Sequence, residues 1–379
     1  MSTNGGADPL RELVRLGQSP WLDYIDRELI ESGELARLVA SGAVRGMTSN
    51  PAIFEQAMAH GRSYESAMLA LARAGHDALR IYETLAMADV RAAADVFRRV
   101  YEESDGNDGF VSFEVSPHLV DDAAGTVAAA QRIWAALARP NVMIKVPATD
   151  AGLDATRQLL AGGINVNVTL LFSVERYRNV LRAYASGLEA ALAGGRRIER
   201  IASVASFFLS RIDTAVDAQL ERRAAANGRE AEALLALRGE AAVASARCAY
   251  AAFEEFCTAG PFRQLAARGA RRQRLLWAST GTKNPVYSDV KYVEPLVGAH
   301  TVNTMPRATL EAYRDHGRPA LRLPADVSLG NATLAALAAA GIDVADVTAR
   351  LLEEGIAKFV APYDSLLRAI AQRVGQAPG

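Results

Sequence analysis

Cysteine is nearly missing from this chain of 379 residues: Cys248 and Cys257 are the only two, nine positions apart in an Ala-rich stretch. That excludes a disulfide framework and fits a reducing cytoplasm. The five histidines, His60, His76, His118, His300 and His316, are scattered, and no Cys/His group has metal-ligand spacing. No Gly-x-Gly-x-x-Gly opens a helix and no phosphate loop ends in Gly-Lys-Ser/Thr. The expected chemistry is therefore free of metal and cofactor. No apolar run is long enough to span a bilayer, and residues 1–8 are polar and Gly-rich, without a basic-then-apolar leader pattern. Charge of one sign is not in excess either: 42 basic residues face 43 acidic ones, net −1, with a pI near 6.6. The one basic stretch, 268–274, reads as the solvated end of a helix rather than a nucleic-acid footprint. A cytoplasmic protein with no membrane or nucleic-acid partner is expected. Nothing in the sequence speaks to oligomeric state.

What is present is regular alternation. Half of the residues are apolar, enough for a large core. Eight short apolar or β-branched segments recur: Trp21–Ile25, Val44–Asn50, Phe110–Pro117, Val142–Ala148, Asn165–Phe172, Ile201–Phe208, Leu275–Thr280 and Thr301–Met305. Helical stretches such as 121–138, 152–161 and 173–193 separate them. Strand–helix alternation implies a parallel sheet with crossover helices, and eight repeats predict an α/β fold of the (β/α)8 barrel type. Extra helices are expected between strands six and seven, over 209–272, and at the C-terminus, including 343–372. No Pro/Gly/Ser-rich linker divides the chain. One domain over 1–379 is expected, with flexible tails at 1–8 and 375–379.

The residue that stands out is Lys145, in the apolar run Asn-Val-Met-Ile-Lys-Val-Pro-Ala-Thr (141–149). A buried ammonium must find a partner or give up its proton, and a neutral lysine is a nucleophile for carbonyls. The ordinary alternative is a lysine whose head reaches water at the strand end. Two strands also alternate polar with apolar: Ser112, Glu114 and Ser116 against Val111, Phe113 and Val115, and Asn165, Asn167 and Thr169 against Val166, Val168 and Leu170. In a barrel this puts polar side chains inward, where branched apolar ones are usual, and points to an active-site mouth. Asp23, Asn50, Glu114, Lys145, Asn167, Thr169 and Ser206 all fall near predicted C-terminal strand ends. A lysine, carboxylates, amides and hydroxyls together suit carbonyl chemistry. Singly, each has a plainer reading: Asp23 as a helix cap, Asn50-Pro51 as a turn, Glu114 as the partner of a structural arginine. Arg211, near a helix start, and Lys283, in the turn-rich loop Ser279–Pro285, suit a phosphate or else are ordinary surface cations.

Three segments carry a family resemblance: Gly46-Met47-Thr48-Ser49-Asn50-Pro51, Ile144-Lys145-Val146-Pro147, and the long, specific Gly163-Ile164-Asn165-Val166-Asn167-Val168-Thr169-Leu170-Leu171-Phe172-Ser173. Over about residues 14–310 the chain resembles the transaldolases of the non-oxidative pentose phosphate pathway, most of all their longer bacterial branch. The resemblance implies a class I, Schiff-base mechanism on sugar phosphates, moving a dihydroxyacetone unit from sedoheptulose 7-phosphate or fructose 6-phosphate to glyceraldehyde 3-phosphate or erythrose 4-phosphate. It assigns imine formation to Lys145, the C–C cleavage proton to Asp23, and water positioning to Glu114 and Thr169. Asn50 and Asn167 would hold hydroxyls of the three-carbon unit. Ser206, Arg211 and Lys283 would bind the phosphate, with Lys283 standing where many members have arginine. A fructose 6-phosphate aldolase on the same barrel is the enzymatic alternative. Those enzymes are much shorter, carry tyrosine where this chain has Phe208, and lack an acid matching Glu114. A non-catalytic sugar-phosphate-binding barrel would lack the nucleophile or the acid, and neither is missing.

Overall fold

The computed structural model describes residues 8–226, 228, 230–323 and 327–375. The expected tails lie outside these residues except at their inner edges, where Asp8 caps the first helix through Leu10 N–H (2.9 Å) and Gly375 ends the last one. Eight parallel strands form a closed barrel in sequence order: β1 Gln18–Asp23, β2 Met47–Thr48, β3 Val111–Glu114, β4 Val142–Pro147, β5 Val166–Leu171, β6 Ser203–Phe208, β7 Arg274–Ala278 and β8 Thr301–Met305, with β8 pairing back onto β1. This is the (β/α)8 barrel expected from the alternation. The stretch between β6 and β7 carries helices Ser210–Ala226, Ala231–Ala236, Ala241–Thr258 and Gly260–Ala267. Helices Val327–Ala339 and Val344–Gly375 follow β8 at a distance. No single described helix is long and apolar enough to cross a membrane.

Register sets the site. Glu114 on β3 lies opposite Lys145 on β4, which lies opposite Asn167 on β5. One row of three adjacent strands therefore carries an acid, a lysine and an amide. The alternation read on β3 and β5 has the expected sense: Asn167 donates to Ser112 Oγ (3.0 Å) and accepts from Ser206 Oγ (2.6 Å), joining β3, β5 and β6 across the interior. Val166 and Val168 are fully buried, as outward residues under crossover helices must be. The alternation ends at Leu170, whose φ is +57° and where the β5–β6 register shifts. A left-handed leucine is strained. Here it turns the side chain toward the C-terminal helix, at Gly355. A Cβ there would stand 3.1 Å from Leu170 Cδ2, so any larger residue would push the leucine side chain aside by a few tenths of an ångström.

Gly46 has a similar reason. A Cβ on it would lie 2.4 Å from the Trp21 ring. Trp21 in turn donates its indole N–H to Asp108 (2.9 Å), which also accepts from Ser19 (2.5 Å) and pairs with Arg45 (2.9 Å) and Arg274 (3.4 Å). This buried hub closes the N-terminal end of the barrel. It also corrects in part the reading of 268–274 as a solvated helix end: Arg268, which caps helix Gly260–Ala267, and Arg272 are exposed, but the other two arginines are not. Arg271 and Arg274 keep only 13% and 15% of their side-chain surface, and tie the start of β7 to Asp105 and Asp108. Their partners lie over 160 residues upstream, beyond reach of any local pattern.

Candidate active site

The C-terminal mouth of the barrel opens into a cavity of about 220 Å³. Its lining includes Asp23, Asn50, Lys145, Thr169, Ser206, Phe208, Arg211 and Lys283. Eight of the ten sequence-predicted site residues thus meet in one space. The other two stand beside it. Glu114 lines a second, water-sized cavity of about 20 Å³ that shares Lys145 and Thr169 with the first. Asn167 lines neither, held between Ser112 and Ser206 in the layer of Lys145.

Lys145 is 5% exposed, so its head does not snorkel to water. Its Nζ donates to the Ser49 carbonyl (2.9 Å) and lies 3.0 Å from Glu114 Oε1. Ser49 donates its own hydroxyl to the Ser112 carbonyl (2.8 Å), fixing the Gly46–Pro51 segment on β3. The Lys145–Glu114 contact is close but poorly directed: both Glu114 oxygens, and the Thr169 hydroxyl, lack an aligned hydrogen bond. Burial pushes the Glu114 pKa up to about 7, against the pull of Lys145, and the Asp23 charge adds to the rise. Glu114 thus pairs with Lys145 and not with a structural arginine.

Asp23 ends β1 across the mouth. It accepts from Thr48 Oγ1 (2.7 Å), and Thr48 is itself 2.7 Å from Thr304 Oγ1. Burial raises the Asp23 pKa above the usual carboxylate range, while Thr48, Lys145 and Lys283 oppose the rise. The helix-cap alternative for Asp23 falls away, because Asp26 caps Arg27–Glu31 through Leu29 N–H (2.6 Å). Asn50, with the plainer reading of a turn, instead caps a helix: its Oδ1 accepts from Ile53 N–H (3.1 Å) at the start of Pro51–His60. That bond uses the oxygen and leaves the amide hydrogens free for a hydroxyl in the cavity.

Arg211 opens helix Ser210–Ala226 with its guanidinium 5.5 Å from the Phe208 ring. Its Nη1 is buried without a hydrogen-bond partner, and burial lowers its pKa. Lys283 is exposed at the rim. Ser206 lies two residues deeper on β6 than Phe208, and its proton is already donated to Asn167. Sequence reasoning missed Thr48, Ser279, Thr304, Lys358 and Phe359, all cavity residues. Thr48 and Ser279 were within quoted motifs. Lys358 and Phe359 come from the C-terminal helix, where nothing in the pattern marks them. His118 stays outside the site, bonded to Asp364 (2.8 Å) from a short 3-10 turn.

A buried lysine, two buried carboxyls and cations at the rim are the parts that a Schiff-base aldolase requires. The family model for transaldolase/fructose-6-phosphate aldolase matches residues 20–370. The chain belongs to that family. It is 47% identical over 360 residues to a transaldolase of Thiobacillus denitrificans, covering 95% of this chain and 99% of the relative. A Neisseria gonorrhoeae transaldolase is 48% identical over 358 residues, 94% and 98% of the two chains. One from Saccharopolyspora erythraea is 47% identical over 382 residues, the full length of both. The match extends past the 14–310 of the sequence-based resemblance and takes in the C-terminal helix. The expected activity, transfer of a dihydroxyacetone unit by an enzyme of this family, is borne out.

Proposed function

We propose that the enzyme is a cytoplasmic transaldolase that exchanges dihydroxyacetone between sugar phosphates, with each step carried by a residue of this mouth. The observation that carries the reading is the Lys145–Glu114 pair, a buried amine 3.0 Å from a carboxyl poised near neutrality. Glu114 takes a proton from the ammonium, and the free amine attacks the ketose C2 carbonyl. Loss of water from the carbinolamine leaves an iminium. Glu114 and Thr169 bring oxygens without an aligned hydrogen bond to the 20 Å³ space, room enough for one water. Asp23 then removes the proton of the C4 hydroxyl, the C3–C4 bond breaks, and the aldose phosphate leaves an enamine on Lys145. An incoming aldehyde is attacked by that enamine, Asp23 returns the proton to the new alkoxide, and hydrolysis frees the product.

Asn50 holds substrate hydroxyls from the rim. Asn167, locked beside Lys145, has one amide hydrogen left for the same purpose. Arg211 and Lys283 take the phosphate. Ser206 contributes less than the family resemblance implies, since its proton is committed below the phosphate level. Arg211→Ala is expected to raise KM for phosphorylated sugars about 10- to 100-fold, the value of a hydrogen bond to a charged group. Lys283→Ala should cost less, because an exposed point charge is screened. Steady-state kinetics measure both, and an unchanged KM in both variants would move the phosphate site elsewhere.

Transfer is favoured over cleavage by Phe208. Releasing dihydroxyacetone requires protonation of the enamine carbon, and an apolar ring, packed 5.4 Å from Phe172, supplies neither a proton nor a hold on water. Fructose 6-phosphate alone should therefore yield about one equivalent of glyceraldehyde 3-phosphate per enzyme, then slow leakage. Erythrose 4-phosphate should restore turnover, and Phe208→Tyr should raise the leakage. A coupled assay on purified enzyme decides this. Sustained release of dihydroxyacetone at the rate of transfer would favour the aldolase.

A further inference from the structure

Lysine is the rarer cation in this chain: four residues, Lys145, Lys283, Lys291 and Lys358, among 42 basic ones. Three of the four line the same cavity. Lys145 has its pairing with Glu114, and Lys283 belongs to the loop after β7. Lys358 comes from the C-terminal helix, almost the far end of the chain. Its ion-pair partner is Glu354, one turn earlier, at 3.2 Å, with 56% and 58% of the two side chains exposed. A pair this exposed is weak and exchanges partners easily.

Glu354 has a second cation within reach. Its charge favours the protonated form of Arg211, opposing the effect of burial on that guanidinium. One carboxylate is therefore paired with Lys358 and acts on Arg211 through its charge, while Arg211 Nη1 stays without a hydrogen bond. A phosphate, with up to two charges and three acceptor oxygens, suits two cations better than a single shared carboxylate. We propose that Lys358 is a further phosphate-binding residue, and that Glu354 is an internal anion displaced from Lys358 and Arg211 by the sugar phosphate. The C-terminal helix would then select phosphorylated substrates. This rests on the Schiff-base reading above for the substrate, but not for the binding event.

The plainer role for the pair is helix support, since glutamate four residues before lysine stabilises an exposed helix. The two roles make opposite statements about Glu354. Displacement makes Glu354 a competitor of phosphate, so Glu354→Gln should tighten binding while Lys358→Ala weakens it. Helix support makes the two variants act in the same direction. In the full-length enzyme, binding of inorganic phosphate is measured by calorimetry, and KM for fructose 6-phosphate with saturating erythrose 4-phosphate by kinetics. Lys358→Ala is expected to weaken phosphate binding and raise KM roughly tenfold, with the loss in KM rather than kcat and partial recovery in Lys358→Arg. Glu354→Gln is expected to improve both severalfold. Phosphate affinity and KM within twofold of the unmodified enzyme in Lys358→Ala, or weakening in Glu354→Gln, would overturn the inference. An unmodified enzyme that binds phosphate at Lys358 and transfers nothing would instead overturn the transaldolase reading alone.

Discussion

Lys145→Met is expected to abolish transfer, with a loss on the order of 10⁴-fold or more, because no other group takes over covalent catalysis. Borohydride added with fructose 6-phosphate should reduce the iminium to a stable secondary amine and inactivate the unmodified enzyme. Peptide mapping has only four lysines to separate, and the adduct is expected on Lys145. A label on Lys283, Lys291 or Lys358 would refute the assignment. The variant also has a stability signature. Without Lys145, Glu114 keeps its burial and loses its counter-charge. Its folded pKa, already raised to about 7, must rise further. A carboxyl raised above its unfolded value favours the fold below that unfolded value, and the gain is lost as pH climbs through the folded one. Lys145→Met should therefore melt close to the parent at pH 5 and well below it at pH 8. Equal Tm differences at the two pH values would argue against the buried pair.

The two carboxyls should separate in kinetics. Asp23→Asn removes the group that handles the C4 hydroxyl proton, so C–C cleavage should fall roughly 10²- to 10⁴-fold while imine trapping continues. Glu114→Gln removes the acceptor of the lysine proton, so trapping itself should slow. In the unmodified enzyme imine formation should increase with pH through an apparent pKa near 7, as Glu114 ionises and becomes a base. That inflection should vanish in Glu114→Gln and persist in Asp23→Asn. Single-turnover trapping across pH measures all three, and equal trapping rates in the two variants would sink the division of roles.

How far each of these residues could be read from the chain differs for physical reasons. Lys145 was visible because a charge inside an apolar run is a local contradiction. The inward sense of β3 and β5 was visible because side chains alternate on any strand. Strand ends were less clear. β1 runs Gln18–Asp23 instead of Trp21–Ile25 and β2 shrinks to Met47–Thr48, because edges follow from what a neighbour can pair with: β1 lies along β8 from Gln18 to Leu22. Arg271 and Arg274 were misread because charge density says nothing about partners in distant sequence.

By itself, the sequence determined the class of fold, singled out the buried lysine and marked most of the residues at the mouth, since periodicity and a misplaced charge are properties of neighbours along the chain. Closure of the barrel decided the rest. It set Asp23 beside Thr48 and Thr304, aligned Glu114, Lys145 and Asn167 in one row, and spent the Ser206 proton on Asn167. Packing of the C-terminal helix across Leu170 then brought Phe359 to within 5.7 Å of the Lys145 amine and Lys358 to the rim. Such contacts join residues more than 180 positions apart, and depend on where whole elements pack rather than on any pattern within them.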